Sequence, residues 1–473
     1  MWAVQISTRD ERDTNVRTLR EEQRWLASFT VPFSTLYRNG EVKGVFPLNM
    51  PPILLGYAKD AGSTSKRLVP NSALKLFITV NPLLPPLKSE VRERFSTKDA
   101  NMQEHASRWV KTIEKSLPKP LQERDVTVFA PTTTGDKALV CRFMRPQAPP
   151  PSDIIPNDEG RLLRFVSHIP FVDDAALGAP LDVWNTTASF LDLLAGDAEE
   201  HALLLCNMFL AMGKKAYILL GSELPEGDTA YVLTRDGGTV RLWNAHAGKV
   251  YSRDDPVSPL SSCPLTSIGC VFDERNVWAN VQLTDKPLEM DWNLQDNPKC
   301  WKPFFGKGGF PPPKSIQSVQ AETLTFRRVT EEYRSDLERE VEDRLQREFE
   351  DLRGHRPTDW NRSLANTLKK LLKRFEDDAA GGTPLTKEEH EAQLDRVSAT
   401  FNLVGFPIHA AMADASSLQP LINKLRHTNL YLSESPKIQF ALSAYVHPYA
   451  NDICSVWVYI AALHDVRAAA VAP

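Results

Sequence analysis

Hydrophobic positions in this chain change period several times, and each change marks an element. Between residues 24 and 80 they come in short runs. Trp25 to Phe33 is the first, Val42, Val45 and Leu48 follow Gly40, and Ile53 to Tyr57 follows Pro51-Pro52. After a polar loop, Lys59 to Lys66, the run Ala73 to Val80 is the last. Short strands punctuated by Pro and Gly predict a β-sandwich. A closed sandwich takes about 100 residues, so residues 1–80 are expected to hold only its later strands, the chain starting inside that domain or the first half being supplied elsewhere.

Residues 81–160 read as a connecting region. Asn81 to Pro86 is a Pro-rich hinge, and Lys88 to Leu117 is a helix with Val91, Phe95, Trp109, Val110 and Ile113 apolar. Asp125 to Ala130 and Lys137 to Met144 form a hairpin around Thr134-Gly135-Asp136. The Pro-rich run from Pro146 to Pro156 suits neither a helix nor a central strand and is expected to be a linker. From 326 to 376 the pattern is helical and highly charged. Tyr333, Leu337, Val341, Leu345, Phe349 and Leu352 make one apolar stripe, Pro357 stops that helix, and a second runs from about Trp360 to Phe375. One short stripe predicts packing on its own domain; a dimeric coiled coil is the alternative. Thr386 and Glu389 make a capping box for another helix, with Gly405 at its expected end. Phe406 to His409, Ile438 to His447 and Val456 to Leu463 then read as strands, with a helix near Ser417 to Arg426.

Residues 161–325 carry the most telling pattern. Gly196-Asp197 breaks the chain before a helix on which Ala202, Leu205, Cys206, Phe209 and Leu210 share a face, and Gly213 stops it. Lys215 to Leu220 is a strand, and Thr229 to Thr234 pairs with Thr239 to Trp243 over Asp236-Gly237-Gly238. A buried helix feeding an antiparallel sheet suits thiol chemistry. The helix N-terminus lowers the pKa of a cysteine placed there, a facing strand can hold a histidine, and the next strand its orienting group. Transglutaminase-like proteins use that layout, and here the three places hold Ala198, Thr229 and Asn244. Ala198 has no nucleophilic atom and Thr229 is no base near neutral pH. Asn244 could orient an imidazole, but none is predicted beside it.

Other side chains do not fill the gap. Cys206, two turns into the helix, reads as a small buried hydrophobe. His201 lies about 140° around the helix from it, and His246 falls in a turn past the strand. Glu199, Glu200 and His201 crowd the first helical turn. Either the acids simply favour the helix dipole, or the three form a retained polar pocket that grips a partner peptide. Trp184, Trp243, Trp278 and Trp301 read as core or interface anchors.

Composition narrows the classes. The 473 residues carry a net charge of −4, so nucleic acid is not expected as a partner. The six cysteines form no CxxC pair and no zinc cluster, which predicts reduced thiols in the cytoplasm and neither metal nor other cofactor. No leader is read at Met1, and the run Ser455 to Leu463 is too short to span a bilayer.

Five strings then point to a family. WLASFTVPFSTLYRNGEVKGVFPLNMPPILLGY resembles the later strands of a C2 domain. RFVSHIPFVDD with GDAEEHALLLCNMFLAMGKKAYILLG and EGDTAYVLT resembles a transglutaminase-like domain, and FALSAYVHPYANDICSVWVYIAAL its C-terminal end. Together, over roughly 24 to 465, they resemble the C-terminal part of the coiled-coil and C2 domain-containing protein 2A family. The resemblance implies an α+β fold: a partial C2-type sandwich (1–80), a helix, hairpin and linker (81–160), a degenerate papain- or transglutaminase-like domain (161–325), and charged helices with an α/β extension (326–473). It implies a non-enzymatic scaffold of the ciliary transition zone at the base of the cilium, working with tectonic-type and transmembrane partners of a Meckel-type complex. It also implies an upstream coiled-coil and C2 portion that this sequence lacks, so the chain reads as a fragment or a truncated gene product. Calcium-binding C2 loops carry several aspartates, whereas Asp60 is the sole acid between Gly56 and Leu68, so no calcium site is expected. Two other readings stand beside the scaffold: a peripheral membrane module acting through the C2 remnant, and an active cysteine hydrolase or transglutaminase.

Overall fold

The computed structural model describes residues 2–9, 18–55, 72–82, 94–95, 99–174, 182–306, 309–412, 418–434 and 437–465. The fold is α+β, in two compact units. One unit comprises Met1–Thr30, Val45–Lys75 and Arg328–Pro473; the other comprises Val31–Gly44 and Leu76–Arg327. The expected loop from Lys59 to Lys66, with Asp60, lies outside the described residues. Among those described, no helix is long and apolar enough to cross a membrane.

The first 80 residues differ from the all-β expectation. Strands β1 (Trp2–Arg9) and β2 (Thr18–Trp25) pair with each other. The run that began at Trp25 then ends in a helix, α1 (Phe33–Asn39), because Pro32 sets an extended N-cap and Gly40 closes the turn in the left-handed region at φ 73°. β3 (Glu41–Pro47) and β4 (Ala73–Thr79) form a second two-stranded ribbon. Of the expected strand from Ile53, Leu55 makes one isolated bridge, to Gly405, and Gly56 and Tyr57 lie outside the described residues.

In the unit containing residues 76–327, the helix expected from Lys88 is shorter. β5 (Arg94–Phe95) carries Phe95, and the helix α2 covers Gln103–Ser116. β6 (Phe129–Pro131) and β7 (Asp136–Leu139) make the expected hairpin, with β5 parallel to β7. The Pro-rich stretch after it is irregular but packed, not a free linker. Gln147 is fully buried, its Nε2 donating to the Ala321 carbonyl at 2.8 Å and its backbone N–H to that of Asn207 at 3.0 Å. Then come α3 (Glu159–Ser167), α4 (Thr187–Leu193) and α5 (Ala198–Ala211). They are followed by β8 (Ala216–Glu223), β9 (Gly227–Asp236), β10 (Thr239–Asn244) and β11 (Lys249–Ser252). β12 (Leu265–Phe272), β13 (Val277–Asn280) and β14 (Trp301–Pro303) complete a seven-stranded antiparallel sheet in the order β11-β10-β9-β8-β12-β13-β14. Every residue of α5 from Glu200 to Phe209 is buried, so it is a central helix. Phe209 packs on Trp243 at 5.0 Å. The opposite face of the sheet holds its own core of Tyr217, Leu219, Tyr231, Leu233, Leu242 and Trp301.

The unit containing residues 328–473 is a three-layer sandwich. α6 (Glu331–Arg353), α7 (Arg362–Ala379) and α8 (Lys387–Ser398) precede β15 (Phe401–Met412), α9 (Gln419–His427), β16 (Gln439–Pro448) and β17 (Cys454–Asp465). The sheet order is β15-β17-β16. Alternation along the strands gives it two apolar faces. Leu337, Val341, Leu345 and Phe349 of α6 join Ile408, Leu442 and Val458 on one, while Leu368, Leu372 and Phe375 of α7 join Tyr459 and Leu463 on the other. The α6 stripe is therefore consumed by its own sheet and leaves no seam for a coiled coil. The α8 capping box is present, but Gly405 is no helix end. It lies in mid-β15, where an added Cβ would stand 2.2 Å from the Ile460 carbonyl oxygen, so the close approach of β17 demands glycine there.

Candidate functional site

The helix that should present a nucleophile is α5. Asp197 caps it: its carboxylate accepts from the Glu199 N–H at 3.1 Å, and Glu200 reaches back to the Asp197 N–H at 3.0 Å. This satisfies two of the free N–H groups of the first turn. Ala198, 3% exposed, offers only its methyl group. Glu200 also accepts from the Asn185 N–H at 2.7 Å. His201 is fully buried, with Nδ1 2.5 Å from the Asp197 carbonyl and Nε2 3.0 Å from that of Ile169. Burial lowers its pKa, and the two carbonyls pull it back up. Of the three residues read as a pocket for a partner peptide, Glu200 and His201 are thus locked inside the fold, and Glu199 alone keeps partial exposure. The cap geometry draws them inward, a role that the first-turn charge pattern does not distinguish from a binding one.

The other two positions are also absorbed. Thr229 lies opposite Gly221 in the β8–β9 ladder, 1% exposed, and its hydroxyl has no hydrogen-bond partner among the described residues. By strand alternation it shares the face of Tyr231 and Leu233, which pack in the core away from α5. Asn244 ends β10, and its amide donates to the Tyr231 hydroxyl at 2.9 Å and to Glu223 Oε1 at 3.3 Å. Its own oxygen accepts from the Ala247 N–H at 3.0 Å.

Glu223 is the residue that the sequence pattern left out. It ends β8, is 2% exposed, and accepts from the Tyr231 hydroxyl as well as from Asn244. An imidazole does stand near Asn244 after all. His246 Nε2 lies 4.0 Å from Glu223 Oε1, and the His246 ring centre is 6.5 Å from that of His201. The available signal was β8 running on through Gly221-Ser222-Glu223, which sets a carboxylate on the Tyr231 face. Burial pushes Glu223 up to about 7 and pulls His246 down to about 3, so near neutrality the imidazole carries no charge. A thiol also adjoins this cluster. Cys263 feels both Glu223 and the Tyr231 hydroxyl, but burial pushes it up to about 12, which keeps it a protonated thiol and a poor nucleophile. Cys206, on α5 itself, is wholly buried with its pKa well above the usual thiol range.

Carboxylates dominate the α5 start. Oxygens of Asp174, Asp182 and Asp197 come within 4.8 Å of one another. Asp174 already accepts from the Val183 N–H at 2.7 Å. Loss of solvation and the charges of Glu200 and Asp174 push Asp182 up to about 7, and Asp197 and Glu199 rise further. Burial and mutual repulsion thus raise the pKa of all of these carboxyl groups. Among the described residues the arrangement has buried acids and two imidazoles but no activated sulfur or hydroxyl.

A family profile described as the CEP76 peptidase-like domain matches residues 182–304, and one described as the centrosomal protein of 76 kDa C-terminal domain matches 325–464. Protein CC2D2B of Homo sapiens is 31% identical over 456 residues, covering 93% of this chain and 30% of that protein. Coiled-coil and C2 domain-containing protein 2A of Drosophila melanogaster is 25% identical over 459 residues, covering 93% of this chain and 33% of that protein. Over 93% of its length the chain is similar to these two coiled-coil and C2 domain-type relatives. The centrosomal protein of 76 kDa of Mus musculus is 24% identical over 428 residues, 80% of this chain and 60% of that protein. The chain thus spans about a third of the length of the first two relatives. The break between the two profiles, 305–324, lies just before the unit boundary at Arg327.

Proposed function

We propose that this chain is a non-enzymatic scaffold segment working at the base of the cilium, in the transition zone, through contacts with protein partners of the Meckel-type, tectonic-containing complex. The observation that carries this reading is Ala198: the buried first turn of α5 has a methyl group where sulfur chemistry needs a thiol. The neighbouring groups are equally unsuited, since Cys206 and Cys263 are held protonated and His201 is tied to two carbonyls. The kinship with a protein named for the centrosome supports the location.

The test is complementation. Ciliated cells lacking the parent protein receive it intact or with Cys206→Ala and Cys263→Ala together, each fused to a proximity-labelling enzyme. Both forms should restore cilia equally at matched abundance, and both should label tectonic-type neighbours at the cilium base. Loss of cilia with the double variant at normal abundance, or labelling that shows no enrichment at the cilium base, contradicts the reading.

A further inference from the structure

A cavity of about 300 Å³ opens on the face of the seven-stranded sheet that carries Tyr231 and Leu233, away from α5. Val240, Leu260, Met290 and Trp292 supply its apolar lining, beside the polar Thr239, Asp291 and Asn293. The Trp292 indole is fixed in place, its Nε1–H donating to the Pro287 carbonyl at 2.9 Å and its ring 5.8 Å from Trp301. Two arginines stand on the wall, Arg235 from β9 and Arg253 from the turn after β11. Among the described residues neither has a carboxylate within ion-pair distance, and Arg253 makes one long bond, Nη2 to the Leu288 carbonyl at 3.4 Å. Leu288 beside it is 41% exposed.

The acids of the same wall do not neutralise this pair equally. Asp291 is spent locally, accepting from the Asn293 N–H at 2.8 Å and from Asn297 Nδ2 at 2.6 Å. Asp254 alone is open, at the exposed rim. The hairpin tip beside the cavity turns through Gly237 and Gly238, at φ 52° and 94°, and no atom lies within 4 Å of where a Gly238 Cβ would be. The tip therefore leaves the mouth clear.

We infer that this cavity is a binding site for an acidic–apolar peptide segment of a partner protein. The apolar side chain packs on Trp292 and Met290, and the adjacent carboxylate takes the guanidinium forks of Arg235 and Arg253, which match a carboxylate in bidentate fashion. A volume of 300 Å³ is at the small end for ligand cavities, so it suits a large side chain with its neighbour, not a folded domain. The inference goes beyond the scaffold reading and stands independently of it.

The test uses the full chain, isotope-labelled, and two acetylated and amidated tetrapeptides, DLFE and KLFK. The chain has ten tryptophans, and the Trp292 indole N–H signal is identified by its loss in Trp292→Phe. DLFE should shift that signal saturably at concentrations up to about 1 mM, and KLFK should not. Arg253→Glu, at an exposed position, should weaken DLFE at least tenfold while the other indole signals stay in place, and Arg235→Gln should do the same. Equal shifts by both peptides, no shift with DLFE over that range, or unchanged DLFE binding in Arg253→Glu overturns the inference. Complementation of cilia tests the scaffold reading separately, so the two can fail apart.

Discussion

Restoring the missing sulfur tests whether anything else is missing. Ala198→Cys places a thiol in the first turn of α5. The helix terminus favours the thiolate by at most about 2 kcal/mol, or about 1.5 pKa units. The acids oppose it. The Asp174, Asp182 and Asp197 oxygens lie within 4.8 Å of one another, and two full charges at that limit, in an effective dielectric of about 20, repel by about 3.5 kcal/mol. That repulsion, added to burial, raises the pKa of these groups. A thiolate roughly 6 Å from one ionised carboxylate meets about 3 kcal/mol, or about 2 pKa units upward. Nor is there a base: His201 is tied to two carbonyls, and His246, lowered to about 3, binds a proton too weakly. The introduced thiol should therefore titrate at or above the ordinary cysteine pKa of about 8.5, read as thiolate absorbance near 240 nm against the parent chain. A titration below pH 7, or amide hydrolysis by the variant, refutes the reasoning.

Cys206→Ala should cost about 1 kcal/mol in urea unfolding and leave proximity labelling at the cilium base unchanged; a changed labelling pattern would give the thiol a role beyond packing. Phe349 is fully buried, 5.0 Å from Phe440 and 5.4 Å from Trp360, so Phe349→Ala should cost about 3–5 kcal/mol with no change in oligomeric state by sedimentation, whereas dissociation of a dimer would restore the coiled-coil alternative. Glu223 has its pKa raised from 4.5 to about 7 by burial, so the folded chain holds that proton more tightly than the unfolded one, and its contribution to stability is present below pH 4.5 and lost as pH rises through 7. The ceiling is about 3 kcal/mol. Glu223→Gln keeps the acceptor for Tyr231 and should flatten that part of the pH–stability curve, while His246 acts in the opposite sense as pH falls below 6.5; an unchanged slope between pH 4.5 and 7 in the variant contradicts the assignment.

What the sequence made legible follows from period. α5 with β8–β10 and the α6 stripe each repeat an apolar position often enough to reveal their element, and Pro357 and the Thr386–Glu389 box mark their ends chemically. Most of the misses share a cause, a residue whose role depends on a partner distant in sequence; the helix at Phe33 is the exception, set locally by Pro32 and Gly40. Gly405 looks like a helix stop until β17 lies against it. Trp25 to Phe33 reads as one strand until Pro32 caps a helix, and Phe95 looks like part of a helical face until β7 pairs with it. At the candidate site the same division holds. The loss of a nucleophile at Ala198 needs only one residue and its position in a helix, so it is readable. The cluster that occupies the end of the sheet needs four residues, Glu223, Tyr231, Asn244 and His246, brought together by strand register. Its uncharged imidazole, its buried acid and the protonated Cys263 beside it then all point the same way: Glu223, Tyr231 and Asn244 bond one another inside the sheet end, which spends on the fold the polar groups that a reactive site would need free.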